Sequence, residues 1–403
     1  MPTRTEAVTI VGLNYPPEPT GISPYTGAMA RGLSQRAYRV RVLTAHPHYP
    51  EWQIRAGYGQ WTRNEVHDGV QVRRLRHYVP QRPSPVRRFL SEVSFGVRSV
   101  FTRWNGPHVV VAVSPALFAS ALAAFRVKTF HRRTPLVVWV QDLYWLGLSE
   151  TDQGRGRARA IIKATERWLL RMADCVVVIH DRFAQRVVED FGLDADRVLV
   201  VRNWTHLRPV PDIDRPATRA KFGWGEETVV LHAGNMGIKQ GLDNVLDAAR
   251  IAAEKSSHIR FVLLGNGVEK PRLADAGANI PTLQFIDSLS DDDFAAALRA
   301  ADILLVNEKA GVSEMAVPSK LTSYFSTGRP VLAATDVGGI TADEVRASKG
   351  GIVVRAGDPE QLLDAAIALG GDTDLSARLG ANGLTYRKTV LDETFAIDQF
   401  ASL

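Results

Sequence analysis

Val229-Val-Leu-His-Ala-Gly-Asn-Met-Gly-Ile-Lys-Gln-Gly241 reveals more about this 403-residue chain than any other stretch. Val229 to Ala233 is a short, mainly apolar run that opens on two valines, and it reads as a strand covered on both faces. Directly after it, Gly234, Gly237 and Gly241 keep the backbone slim where a helix is about to begin, and Lys239 adds a cation. Glycines leading into a helix N-terminus offer free N–H groups to an anion, so the stretch predicts a diphosphate site rather than a plain structural turn. It does not match G-x-x-x-x-G-K-[ST], which argues against an ATPase phosphate loop.

Beyond it, Arg260–Leu264, Ile303–Val306, Val331–Ala334 and Gly351–Val354 continue a strand set with helical periodicity between its members. A similar alternation precedes it, with strands at Val8–Leu13, Val40–Leu43, Val109–Val113, Leu136–Val140, Val176–Ile179 and Val198–Val201. Apolar strands separated by helices mean parallel sheets with helices on both faces, so the fold class is α/β with two Rossmann-like halves. Between Asn203 and Pro216 the periodicity stops in a proline-rich linker. We place the domains at 1–205 and 206–384, followed by a terminal helical stretch, 385–403, with Phe395 and Phe400 to bury.

A chain of this length exceeds one ordinary core. Hydrophobic residues at 45% and charged residues at 23% give an ordinary globular balance without a disordered tract. Cys175 is the lone cysteine, which excludes intrachain disulfides and cysteine-built zinc sites and fits a cytoplasmic setting. Val8–Leu13 is too short for a leader's apolar core, and Val109–Phe125 is broken by Ser114-Pro115, so neither an export signal nor a membrane span is expected. The net charge of +6 is concentrated: Arg73, Arg74, Arg76, Arg82, Arg87, Arg88, Arg98 and Arg103 face one acid, Glu92. Phe89, Val93, Val97, Val100 and Phe101 recur there at helical spacing, so residues 73–104 predict a basic amphipathic segment for an anionic membrane surface rather than for nucleic acid.

Ligands of open parallel sheets bind beyond the carboxyl ends of the strands. The loop Asn14–Ser23 carries Tyr15 and ends at Gly21, which admits close backbone approach; Thr44–Glu51 carries His46, His48 and Tyr49. No third ligand accompanies the two histidines, so they predict polar lining of an acceptor pocket and no metal. Gln141 and Asp142 end an apolar strand, and a carboxylate there suits a sugar hydroxyl. In the second half Gly265 and Gly267 suit a nucleotide base lying over their loop, Glu308 and Glu314 suit ribose or sugar hydroxyls, and Lys320 suits a phosphate.

These loops in this order resemble glycosyltransferase family 4, of the GT-B fold, and within it the bacterial exopolysaccharide, O-antigen and colanic-acid-type enzymes. The pieces that carry the resemblance are Tyr15-Pro-Pro-Glu-Pro-Thr-Gly21, Gln141-Asp142-Leu143, Gly234-Asn-Met-Gly237, Leu263-Leu-Gly-Asn-Gly267, Pro318-Ser-Lys320, Gly328-Arg-Pro-Val331 and Gly357-Asp-Pro359. The resemblance implies two domains facing across a cleft, the first binding the acceptor and the second a nucleotide diphosphate-sugar, with the terminal helix crossing back to the first. It implies retaining transfer, a UDP-sugar in preference to a GDP-sugar, no cofactor or metal, and a lipid-linked saccharide acceptor at the inner face of the cell membrane. Tyr15, His46, His48, Tyr49, Gln141 and Asp142 would then meet the acceptor. Gly21, Gly234, Asn235, Gly237, Lys239, Gly265, Gly267, Glu308, Glu314, Ser319 and Lys320 would meet the donor, with Asp142, Lys239 and Glu314 nearest the chemistry.

Three positions depart from the family pattern: Gln141 stands for a histidine, Asn235 and Gln240 stand for the arginine and lysine of the glycine loop, and Ser323 stands where an acid is expected. A nucleotide-sugar 2-epimerase and a catalytically silent nucleotide-sugar-binding subunit share the architecture; the first lacks a tight acidic pair here, and the second draws on Ser323.

Overall fold

The computed structural model describes residues 6–19, 21–145, 157–204, 212–311 and 319–403, the side chains at 157, 158 and 319 aside. The chain divides into two compact units, Met1–His206 with Glu393–Leu403, and Leu207–Asp392.

The first unit holds β1 (Ala7–Val11), β2 (Arg39–Ala45), β3 (Thr62–His67), β4 (Val70–Leu75), β5 (Val109–Ser114), β6 (Leu136–Val140), β7 (Cys175–Val178) and β8 (Val198–Val200). They form one sheet in the order β3-β4-β2-β1-β5-β6-β7-β8, parallel throughout except for β3. The second unit holds β9 (Thr228–Ala233), β10 (Ile259–Leu264), β11 (Leu283–Ile286), β12 (Ile303–Asn307), β13 (Val331–Thr335) and β14 (Gly351–Arg355), in the order β11-β10-β9-β12-β13-β14. That is two three-strand halves running outward from β9 and β12, and the crevice beyond their carboxyl ends is the topological switch point. Along β9 successive side chains serve opposite cores: Val230 packs into one, Val229, Leu231 and Ala233 into the other. Each fully buried Val or Leu contributes roughly 1.5–3 kcal/mol, so strands of this composition have no stable solvent-facing alternative.

Two parts of the first sheet were not legible as strands. β3 and β4 form an antiparallel hairpin closed by Asp68 and Gly69, both at positive φ, the geometry that an Asp-Gly turn provides. Arg73 and Arg74 hide the alternation of β4, yet Arg74 is fully buried, ion-paired to Glu65 and donating to the Pro16 carbonyl at 2.5 Å. The segment 73–104 is therefore not one amphipathic unit. Its helix is Pro85–Val100, capped by Ser84, and it buries Ser91, Glu92, Phe95, Gly96 and Ser99 while Val86, Phe89, Leu90 and Val97 stay exposed. Gly96 explains the inversion: a Cβ there would meet Ala119 Cα at 3.0 Å, so the helix approaches the helix Leu117–Phe130 on its small-residue side. Phe101, just beyond, is 85% exposed.

The end of the chain belongs to the first unit. The helix Thr373–Thr389 runs past the expected boundary at 385 and stays with the second unit, and the return begins at Glu393. The helix Glu393–Ala401 lies on the helix Ser23–Gln35, with Gly32 making room for Ile397 and the Tyr38 hydroxyl donating to the Ala401 carbonyl at 2.8 Å. Phe400 is buried edge-on against Trp139 at 4.9 Å, whereas Phe395 is exposed.

Candidate active site at the strand ends

In the second unit β9 ends at His232 and Ala233 beneath the glycine loop, and Lys320 opens the helix Ser319–Phe325 beside it. Lys320 Nζ lies 3.3 Å from His232 Nε2 and about the same side of the loop as Gly234, whose added Cβ would stand 3.9 Å from Nζ. His232 is fully buried, and burial followed by the Lys320 charge holds it well below the usual histidine range. It is a neutral imidazole, and with an ammonium facing Nε2 that nitrogen is the acceptor. Desolvation pulls Lys320 down to about 8, against the attraction of the Glu308 carboxylate. The residue pair thus keeps one ammonium, stripped of much of its water, at the strand end where an anion would sit.

The loop above is held by side chains that carry no signature of their own in the sequence. Asn307 is buried at the end of β12 and donates to the Gln240 carbonyl at 2.7 Å and the Gly241 carbonyl at 3.0 Å, while Asn244 donates to its oxygen. Gln240 Oε1 accepts from the Gly237 N–H at 3.0 Å, closing the turn on itself. The Tyr324 hydroxyl accepts from the Ala233 N–H at 2.9 Å. Glu308 accepts from the hydroxyls of Thr335 and, at 2.8 Å, Thr341, and burial raises its carboxyl. A cavity of about 460 Å³ flanks this loop, with Gly237, Asp243, Arg272 and Lys309 in its wall.

Gly265 and Gly267 have a packing role that their position alone did not suggest. A Cβ on Gly265 would fall on the Gly234 carbonyl oxygen, and one on Gly267 on the Met236 carbonyl oxygen. The two loops are bonded through Met236 N–H to Asn266 O at 2.8 Å. These glycines let one loop lie on the other, with both φ values positive. Lys239 and Asn235 are exposed at the loop's rim. Glu314 and the Ser319 side chain lie outside the described residues.

In the first unit the loops after β1 and β2 are brought together by Glu18, which is 97% buried. Its Oε1 accepts from the His48 N–H at 2.8 Å and the Tyr49 N–H at 2.9 Å, and its Oε2 from Asn14 at 2.8 Å. Tyr15, His46 and His48 are buried rather than lining an open pocket: Tyr15 belongs to the core, and His46 Nε2 lies 2.8 Å from the Gln60 carbonyl. Burial pushes the Tyr15 phenol up to about 12, so it stays neutral. Tyr49 is partly exposed, next to Gly21 at φ +68°. Gln141 is buried at the end of β6 with its oxygen accepting from Asn203 at 2.8 Å, and its Nε2 has no partner among the described residues. Asp142 stands half-exposed beside it and lifts the buried Glu166, which desolvation chiefly raises to about 7.

With this geometry in place, known proteins are informative. A family model described as Glycosyl transferase 4-like domain matches residues 20–204, and one described as Glycosyl transferases group 1 matches 227–372. The putative colanic acid biosynthesis glycosyl transferase WcaI of Escherichia coli is 33% identical over 336 residues, covering 80% of this chain and 81% of that protein. The chain belongs to glycosyltransferase family 4. A D-inositol 3-phosphate glycosyltransferase of Nocardioides is 29% identical over 353 residues, 79% of this chain and 73% of its own. Among solved structures, sucrose-phosphate synthase from Thermosynechococcus elongatus superposes with a TM-score of 0.74 at 14% identity, covering 98% of both chains. Anabaena HepE, solved in complex with UDP, superposes with a TM-score of 0.71 at 16% identity, covering 99% of both. The glycosyltransferase has the GT-B architecture of two Rossmann-like domains.

The departures from the family pattern also gain a physical description. Gln240, in place of a lysine, is a structural clasp for the turn. Ser323 is buried within the helix Ser319–Phe325, its carbonyl accepting from Ser326, so no carboxylate enters the glycosyltransferase from that position.

Proposed function

We propose that this glycosyltransferase moves a sugar from a UDP-sugar, with retention of anomeric configuration, to a lipid-linked saccharide during synthesis of a cell-surface polysaccharide, working at the inner face of the cell membrane. The observation that carries the donor half of this proposal is the His232–Lys320 pair at the switch point, 3.3 Å apart under a glycine loop. A single preorganised, desolvated ammonium and the loop's N–H groups stabilise the departing diphosphate, the kind of contribution worth about 3–4 kcal/mol of barrier when one donor is removed. We assign no metal to the reaction, and take Lys320 and Lys239 as the cations that meet the diphosphate, with Glu308 and Glu314 toward hydroxyls. In the first unit Gln141, with a buried unpartnered amide, and Asp142 are assigned to the acceptor. The names of WcaI and of HepE's UDP complex support the polysaccharide and UDP parts of this proposal.

The membrane part rests on the helix Pro85–Val100, which leaves Val86, Phe89, Leu90 and Val97 outside, close in sequence to Arg82, Arg87 and Arg88. No helix among the described residues is long and apolar enough to cross a membrane. The test is incubation with UDP- and GDP-sugars and a polyprenyl-diphosphate saccharide, with the product anomer read by NMR and the reaction repeated in EDTA. An α-linked product from an α-linked UDP-sugar, unaffected by EDTA, is expected. An inverted product, a free epimerised sugar or a requirement for GDP-sugar would overturn the corresponding part.

A further inference from the structure

Arginines without acids mark a second site. Arg41 on β2 and Arg73 on β4 point to the same face of the first sheet, offset along a parallel register in which Arg41 pairs with Gln71 and Leu43 with Arg73. They line a pocket of about 310 Å³ together with Asn64, Gln71 and Asn105. Arg41 donates to Gln71 Oε1 at 2.7 Å and to the Trp104 carbonyl at 3.3 Å, and with its amide turned so that the oxygen faces inward Asn105 accepts from both Arg41 terminal nitrogens at 2.8 and 3.0 Å. Arg73 Nε donates to Asn64 Oδ1 at 2.8 Å. Every partner named is neutral. Glu65 is the acid in the wall, and it is spent on Arg74, Arg63 and His67.

Like charges on adjacent strands destabilise a sheet unless something compensates them. Here neutral oxygens fix both guanidiniums without cancelling their charge, which leaves the terminal nitrogens of Arg73 and the amide N–H groups to donate while Arg41, its terminal N–H groups engaged, supplies charge. Desolvation, then the charges of Arg73 and Arg39, depress Arg41, in keeping with an uncompensated cluster. One planar fork beside a second, fixed positive charge matches a phosphate's oxygens. The pocket is lined from within β2, β3 and β4 rather than from the loops that follow β1, β2 and β6, and Asn105 in its wall comes from the segment that follows the exposed apolar helix.

We propose that this pocket binds a phosphate ester, through Arg41 and Arg73 with the amides of Asn64, Gln71 and Asn105. The test uses the full chain and Arg41→Gln/Arg73→Gln, titrated with glycerol 3-phosphate at ionic strength matched with chloride. The wild type is expected to melt higher with ligand, and the double variant to bind about tenfold more weakly or worse. Lys320→Ala serves as the control and should keep the response, which separates this pocket from the strand-end site. Equal responses in wild type and double variant overturn the proposal. If the double variant does not fold, Arg41→Lys/Arg73→Lys, which keeps charge and loses the forks, is read in its place. Sedimentation with phosphatidylcholine vesicles, with and without phosphatidylglycerol, distinguishes the source. A several-fold loss of phosphatidylglycerol-dependent binding in the variant assigns a lipid headgroup; unchanged vesicle binding beside a lost glycerol 3-phosphate response assigns a soluble ester.

Discussion

The carboxyl ends of the two sheets differ in how much of their polar chemistry is already spoken for. In the second unit Asn307, Gln240, Tyr324 and the threonines on Glu308 close the loop with the chain's own side chains, and His232 Nδ1 and Asn244 Oδ1 are the buried atoms there without a partner among the described residues. In the first, Gln141 Nε2, His46 Nδ1, Asn203 Oδ1 and both ring nitrogens of His77 are buried and have no hydrogen-bond partner among the described residues. Each such group costs about 1–3 kcal/mol. The second unit's strand ends are thus the more fully paired of the two, which suits the proposed diphosphate cradle, and the first unit's unpaired polar atoms suit the proposed acceptor with its hydroxyls.

The largest test of that contrast is Lys320→Ala, expected to lower kcat by about 10²–10³-fold if the cradle's charge is the main support for the leaving group. Turnover near wild type would move the charge elsewhere. Its companion is pH: kcat/KM should fall as pH rises through about 8, where free Lys320 loses its proton. Stability has the opposite sign. Lys320 is depressed when folded, so between about 8 and 10 the unfolded chain carries the extra proton, and this residue's cost is relieved as pH rises.

Next in size, Arg82→Gln/Arg87→Gln/Arg88→Gln should weaken sedimentation with anionic vesicles by up to about a hundredfold at low salt, at about 1 kcal/mol per arginine. Arg98 is left alone because it donates to the Trp61 carbonyl at 2.6 Å and lies over that ring. Unchanged binding would leave the exposed helix face without a membrane role. Gln141→Leu probes the first unit directly: the acceptor KM should rise about tenfold with the donor KM unmoved, and an equal rise in both would deny the amide its assignment.

The smallest effect belongs to Glu92, buried under the same helix with the Phe118 N–H at 3.0 Å and raised to about 8 by desolvation. Its folded value exceeds the unfolded one near 4.3, so the folded state holds the extra proton and stability falls as pH rises from about 4.5 to 8. Glu92→Gln should lift the melting temperature at pH 8 by a few degrees and flatten that slope. A variant that melts lower at pH 8 would mean the carboxylate is charged and paired.

The alternation of β9, β10 and β12 to β14, and of most of the first sheet, was legible because strands covered on both faces must be apolar, whereas the short edge strand β11, half-buried along its length, was not legible. Nor was β4, because Arg74 is solvated internally by Glu65 and two carbonyls, a compensation that only neighbours distant in sequence provide. The glycine-rich turn after β9 was legible along the chain, but the side chains that hold it were not. The packing role of Gly265 and Gly267 depends on carbonyls from another loop, and His232 looks like a core interruption until Lys320 stands beside it. Glu18 escaped notice for the same reason, since its three partners come from two loops.

The helix Glu393–Ala401 gives the chain's synthesis an order. Ile397 and Phe400 complete the core that begins at Val8, so the first unit lacks part of its interior until the ribosome has finished the second. A nascent first unit therefore waits, with the Gly32 and Trp139 surfaces uncovered, through the translation of nearly two hundred further residues. Truncation just before the last helix should be felt in the half of the molecule most distant from it in sequence.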